Sequence, residues 1–279
     1  MDKAKIKLSI IFALAAIAVI VSGIALAQPG KERIPAQTQG GATVVVPSHA
    51  VEIAPDVFSL GTATDVDGKT VEGYMFIHRK QGNAQPPWAG GAKNGGGLKC
   101  YTFLANGAKW KTNEPYIVDP TNTRGLDISF VASNLAADIG KWETASGFNI
   151  LGDEIEGIVD GADTSSPDDK NEVYFGNVDS AGAIAVTIVW GIFSGPPSQR
   201  KLVEWDQVYD QVDYGWSSAG EAGKMDFENI ATHELGHSVG MGHPPSECTE
   251  ETMYAYAGFG ETKKRDLNAG DIAGINELY

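Results

Sequence analysis

Apolar positions along this chain recur at two different periods, and the switches between them predict the order of its elements. From Asp127 onward, Ile128, Val131, Leu135, Ile139 and Trp142 return every three or four residues, the spacing of one helix face, with Asp127 standing as N-cap. A second helix is predicted from Asp226, another good cap, through FENIATHELGHSVG. A third closes the chain in LNAGDIAGINELY, with Asn268 as cap and Ile272, Ile275 and Tyr279 on one face. Between the first two helices the pattern changes to runs rich in β-branched and aromatic residues: EVYFGNV at 172–178, AIAVTIVWGI at 183–192 and LVEWDQVYDQV at 202–212, the last part strand. Tyr116-Ile117-Val118, between Pro115 and Pro120, is a further short strand. The order β-α-β-β-β-α-loop-α predicts an α/β (α+β) domain over residues 100–279.

Upstream the pattern is different. VEIAPDVFSLGTAT and KTVEGYMFIHR flank Asp65-Val66-Asp67-Gly68 and read as a β-hairpin. One hairpin does not hold together alone, so it packs on another element or belongs to a small pro-region. Residues 28–50 and 81–97 read as linkers by their Pro, Gly and polar content. Residues 28–99 are therefore expected to be linker plus a hairpin pro-region or accessory segment. At the N-terminus, Lys3, Lys5 and Lys7 precede an apolar run from Leu8 to Ala27 that ends Ala25-Leu26-Ala27. Residues 1–27 are thus expected to be a secretory signal cleaved after Ala27, with an uncleaved signal anchor as the alternative. Membrane contact is expected only in that second case. Export to the extracellular space or cell surface follows from either.

The net charge of −15 argues against nucleic acid, which needs a basic footprint. The two cysteines, Cys100 and Cys248, fit an oxidising compartment. Histidine is used sparingly, five times in 279 residues, yet three of the five fall within HELGHSVGMGH, His233 to His243. On a helix His233 and His237 lie only ~40° apart around the axis and one turn apart along it, so both imidazoles can face one ion. Glu234 sits about a quarter-turn away, beside that ion, while Leu235 and Val239 fall on the opposite side. Gly240 can take positive φ, end the helix and let His243 return as a third ligand. Three imidazoles leave a fourth position open, the layout of a catalytic zinc.

HELGHSVGMGH, together with Glu251-Thr252-Met253-Tyr254 ten residues on and the closing DIAGINELY, resembles the metzincin zinc peptidases, in particular the matrixin branch. The resemblance covers residues 100–279 and is strongest over 226–279. It implies a metzincin-like catalytic domain: a twisted mixed sheet, an active-site helix, a Met-turn and a C-terminal helix. It implies Zn2+ held by His233, His237 and His243, water activated on the metal with Glu234 as general base, and Met253 as a packing floor. The substrate it implies is a protein or peptide, laid extended along an edge strand. AIAVTIVWGI is the candidate edge, with an ordinary buried strand as its other reading. Tyr254 to Phe259 would wall the pocket for the residue after the cut. Pro244 departs from the serine that matrixins carry, and Ala255 stands where other metzincins place a tyrosine ligand, so no tyrosine ligand is assigned. His49 and His78 lie outside the catalytic region, so a second, structural zinc site is not expected.

Two secondary features stay open. Cys100 and Cys248 pair as a disulfide, or Cys100 caps the zinc as in matrixin zymogens; pairing in an exported chain favours the disulfide. DGADTSSPDDKNE, residues 160–172, does not have EF-hand spacing and reads as a solvated acidic loop, with Ca2+ as the alternative that the resemblance raises. The rival to a secreted zinc endopeptidase is a catalytically silent cell-surface zinc-binding module. The presence of Glu234 weighs against it, since a structural zinc has no use for that carboxylate. A hydrolase of non-peptide amides is a second rival, disfavoured by the Met-turn and closing helix.

Overall fold

The computed structural model describes residues 42–82 and 98–279. The signal-like run and most of both linkers lie outside them. The strands in chain order are β1 (Thr43–Val45), β2 (Val51–Ala54), β3 (Val57–Thr64), β4 (Thr70–Lys80), β5 (Thr102–Phe103) and β6 (Ile117–Asp119). Helix α1 (Ile128–Ser146) comes next, then β7 (Glu172–Asp179), β8 (Ala183–Ile192), β9 (Lys201–Asp210), β10 (Trp216–Ser217) and β11 (Met225–Asp226). Helix α2 (Phe227–Ser238), β12 (Met241–Gly242), β13 (Tyr256–Ala257) and α3 (Ala269–Leu278) complete the fold.

The helices form where cap and periodicity agree. Asp127 accepts a hydrogen bond from the Phe130 amide, and Asp226 from the Asn229 amide, each satisfying an amide that has no partner within its helix. Val131, Leu135, Ile139 and Trp142 are buried as predicted, but Ile128, in the first turn, is exposed. In α3, Asn268 and Asp271 form a reciprocal capping box; Ile275 and Leu278 face the core, whereas Ile272 points outward.

The sheet is mixed and curled, in the order β1-β7-β9-β8-β4-β3-β2, with β6 also on β7 and β13 also on β4. Pairing is parallel for β6–β7 and β7–β9 and antiparallel for β9–β8. This is the α/β arrangement expected of a matrixin catalytic domain. On one face of the sheet α1, α2 and α3 enclose a core that includes Leu135, Trp142, Trp205, Leu235 and Ile275. On the other face the curl buries Leu60, Val71, Met75, Ile77, Val186, Ile188 and Val208.

That second core bears on two expectations. The hairpin does pack on another element: β3 and β4 pair antiparallel with each other, and β4 pairs with β8 from Glu72↔Gly191 to Arg79↔Ala183. Val71, Met75 and Ile77 would otherwise stand in water, and sheet addition buries all three. For the same reason AIAVTIVWGI is not an edge. It is β8, with β9 on one side and β4 on the other, and nine of its ten residues are buried.

Candidate active site

The helix α2 presents His233, Glu234 and His237 to one space, all three fully buried. Leu235 faces away into the helical core, as the spacing required. Gly236 has no room for a side chain: an added Cβ would run into Met253 Sδ and the Trp142 indole. Met253 therefore packs directly beneath the helix that carries the histidines. Gly240 takes φ 103°, the backbone turns into β12, and His243 comes back toward the helix. The returning segment is held by β12–β5 pairing and by the Thr102 hydroxyl, which donates to the His243 carbonyl at 2.8 Å.

The ring nitrogens are sorted by their partners. His233 Nδ1 donates to the Thr252 carbonyl at 2.7 Å and His237 Nδ1 to the Met241 carbonyl at 2.9 Å. With the proton on Nδ1, each Nε2 carries a lone pair. His233 Nε2 is buried with no hydrogen-bond partner, and His237 Nε2 lies 3.2 Å from His243 Nε2. One ligand atom from each of the three rings falls within 4.8 Å of the other two. An orphaned lone pair beside two others is what a cation resolves, so the donor set fits a zinc ion bound by three imidazoles. Burial pushes all three imidazoles well below their usual pKa, His237 to about 3, which keeps them neutral as metal binding requires.

The Met-turn is tied to the closing helix. Asp271 in the first turn of α3 accepts from the amides of Thr252, at 2.7 Å, and Met253, at 3.1 Å. Thr252 in turn receives His233, so the end of the chain orients the first histidine of the motif. Cys100 and Cys248 form a disulfide with Cα atoms 5.5 Å apart, which removes Cys100 as a zinc cap.

Four residues at the site, His78, Lys264, Thr187 and Phe76, have no counterpart in the motif. His78, set aside above as lying outside the catalytic region, is carried in by β4 and stacks on His233 at 3.9 Å between ring centroids. Its Nδ1 donates to Glu234 Oε1 at 2.9 Å, and its Nε2 accepts from Lys264 Nζ at 3.1 Å. The other Glu234 oxygen accepts from the Thr187 hydroxyl of β8 at 2.6 Å. Burial raises the Glu234 carboxyl to about 8 and lowers the fully buried Lys264 ammonium to about 7. Phe76, two residues before His78 on the same strand face, stacks on His237 at 4.2 Å. No local signal marks His78: it follows the continuous run Tyr74 to Ile77, and the strand it pairs with lies more than 100 residues on. Beside His243 a cavity of about 960 Å3 remains, lined largely by apolar groups such as Phe103, Pro244, Tyr254 and Tyr256.

The acidic stretch 160–172 is only partly solvated. Glu172 turns inward, and Asp163 faces Glu204 and Asp206 of β9, with one oxygen from each of these three within 4.8 Å. Asp206 accepts from the Asp163 amide at 2.8 Å, and Glu172 from the Gly161 amide at 2.9 Å. Glu204 Oε1 is buried with no partner. Burial, joined by mutual repulsion, raises the carboxyls of Asp163, Glu204 and Asp206 above their ordinary values.

Comparison with known proteins agrees with this geometry. The family described as Matrixin matches residues 169–279. Human matrilysin (Homo sapiens) is 40% identical over 74 residues, 26% of this chain and 26% of matrilysin. Metalloendoproteinase 2-MMP of Arabidopsis thaliana is 28% identical over 191 residues, 65% of this chain and 46% of that protein. Metalloendoproteinase 1-MMP of the same plant is 41% identical over 56 residues, 20% of this chain and 14% of its own length. The chain thus spans less than half the length of each of these relatives. With the mixed sheet, the HELGHSVGMGH helix and turn, and the Met-turn all present in one arrangement, residues 169–279 match the matrixin family and the chain is similar to the matrixin-like metzincins.

Proposed function

We propose that this protein is a zinc-dependent endopeptidase that hydrolyses peptide bonds in protein or peptide substrates. The observation that carries the reading is the convergence of three buried, neutral imidazoles, two of them with Nδ1 committed to backbone carbonyls, beside one buried carboxylate. Zinc held by His233, His237 and His243 would supply a Lewis acid for the scissile carbonyl and lower the pKa of water there toward ~7. Glu234 would take the proton from the attacking water and pass it to the leaving amine. Met253 and Asp271 would hold the ligand cage in place, and Tyr254 to Phe259 would contact the residue after the cut. A catalytically silent zinc module has no need of Glu234, and this favours the enzyme. Export to the outside of the cell is part of the proposal and rests on the Lys3-to-Ala27 sequence.

A peptide-library digest by the zinc-loaded chain tests the reading. Cleavage that disappears with a chelator and returns with zinc is expected, in native buffer or in urea below the global unfolding transition. Zinc bound at one equivalent with no cleavage of any library member under either condition would replace the enzyme with the silent module.

Calcium at Asp163, Glu204 and Asp206 is a further part of the proposal. Because these carboxyls are raised in the folded state, the fold is favoured at acidic pH and loses that contribution as pH rises from ~4, the ordinary carboxylate value, through their raised values. The melting temperature at pH 8 is therefore expected to rise on adding millimolar calcium, and to rise less at pH 5. A Glu204→Gln chain should lose the response. Equal melting curves with calcium and with chelator at pH 8 would remove calcium from the account.

A further inference from the structure

The hairpin lies where a substrate would have to lie. A peptide that adds a strand to β8 must use the side of β8 not taken by β9, and it must pass the 254–259 wall. That lane is filled by β4: antiparallel to β8 from Glu72↔Gly191 to Arg79↔Ala183, and parallel to β13 at Tyr256↔Arg79 and Ala257↔Lys80. The strand is thus hydrogen-bonded on the β8 side and on the wall side, as an extended substrate would be. Its residues also reach the chemistry. Phe76 covers His237 and makes a T-shaped contact with His243, centroids 6.0 Å apart. His78 lies against His233 and takes Glu234 Oε1, while Thr187 takes the other oxygen. Both oxygens of Glu234, the candidate general base, are therefore already engaged by the protein.

We propose that the β3–β4 hairpin is a built-in pseudo-substrate: β4 fills the peptide track between β8 and the 254–259 wall, His78 and Phe76 cover the metal face, and the folded chain is latent until the hairpin leaves. This rests on the endopeptidase reading above. It is distinct from capping of the metal by Cys100, whose sulfur is committed to Cys248. The burial of Val71, Met75 and Ile77 makes the docked hairpin the resting state. The track then opens only when the pairing of β4 with β8 is disturbed.

Gly73 offers a handle away from the metal. It pairs with Trp190 of β8, and a Cβ added there would sit 2.7 Å from the indole ring. Gly73→Val should therefore lift β4 off β8 without touching His78, Glu234 or the three imidazoles. The experiment compares zinc-loaded full-length chains, reading β8 amide exchange by mass spectrometry and hydrolysis of a fluorogenic peptide library. In Gly73→Val, exchange of the β8 amides and hydrolysis are both expected to rise at least tenfold, and Glu234→Gln in that background should remove the hydrolysis but not the faster exchange. Faster β8 exchange with hydrolysis unchanged from the parent overturns the latency and leaves the peptidase reading standing. Faster exchange with no hydrolysis in any chain overturns both. The parent chain provides an arm that needs no substitution: in urea below the global unfolding transition, hydrolysis should climb in step with β8 exchange. A parent that cleaves at full rate while its β8 amides stay protected, or whose rate only falls as urea rises, also overturns the proposal.

Discussion

Glu234→Ala is expected to abolish peptide hydrolysis while one zinc remains bound. The separation follows from where the atoms are. The nitrogens that would hold the metal are on His233, His237 and His243, and the Nδ1 atoms of His233 and His237 keep their bonds to backbone carbonyls in the variant. The carboxylate contributes none of that geometry; its work is proton transfer, a step in which a positioned group contributes ~10²- to 10⁴-fold. The loss should appear in kcat, read in the Gly73→Val background where hydrolysis is high, with metal content by atomic absorption unchanged. Removing the carboxylate also strands His78 Nδ1 and the Thr187 hydroxyl, each buried and previously paired with it. An orphaned buried group costs about 1 to 3 kcal/mol, so the alanine chain should melt lower than the parent. Glu234→Gln keeps an acceptor for one donor and should melt closer to the parent while staying inactive. Activity retained in either variant would remove Glu234 as the base.

Removing the disulfide should have the largest effect on stability. Cys100 and Cys248 are 148 residues apart in sequence, so the bond closes a loop that takes in most of the described chain. For a loop of that size the chain-entropy estimate is about 5 kcal/mol. In a domain this large each kcal/mol moves the melting temperature by about 2 to 4 °C, so Cys100→Ser with Cys248→Ser should melt about 10 to 20 °C lower. Cys248 stands five residues after His243 and close before the Met-turn. Loss of the bond should therefore also weaken zinc in a competition with a chelator, because the returning segment then depends on the short β12–β5 pairing and the Thr102–His243 hydrogen bond. A shift under about 2 °C would mean that the unfolded chain is not being restrained by this bond.

The elements read most directly from sequence were those decided locally. Asp127, Asp226 and Asn268 cap the three helices because capping involves residues three apart, and the apolar periods of α1 and α2 depend on neighbours one turn away. Ile128 and Ile272 departed from the same pattern because a periodic face is wider than the stripe its neighbours cover. The HELGHSVGMGH geometry was legible for the same local reason: two histidines one turn apart, then a glycine at φ 103°.

Pairing across distance was a different matter. A continuous apolar run such as AIAVTIVWGI reads alike as an edge packed on both faces or as an interior strand, since its period does not name its neighbours. The partner, Glu72 to Arg79, lies more than 100 residues away in sequence. The inward turn of Asp163 toward Glu204 and Asp206 likewise depends on which strand borders β7. His78 looked like a histidine outside the catalytic region because nothing in YMFIHR points to Glu234, and Lys264 lies in a polar run, ETKKRD, that reads as surface. By itself, then, the sequence determined the helices, their caps, the three candidate ligands and the candidate base, all set by contacts within a turn or two of chain. Only the tertiary structure decided that β4 closes the strand beside them and that His78 and Lys264 complete the cluster, because hydrogen bonds between strands are made by backbone groups that every residue carries and the choice among partners falls to burial on the curled sheet's second face.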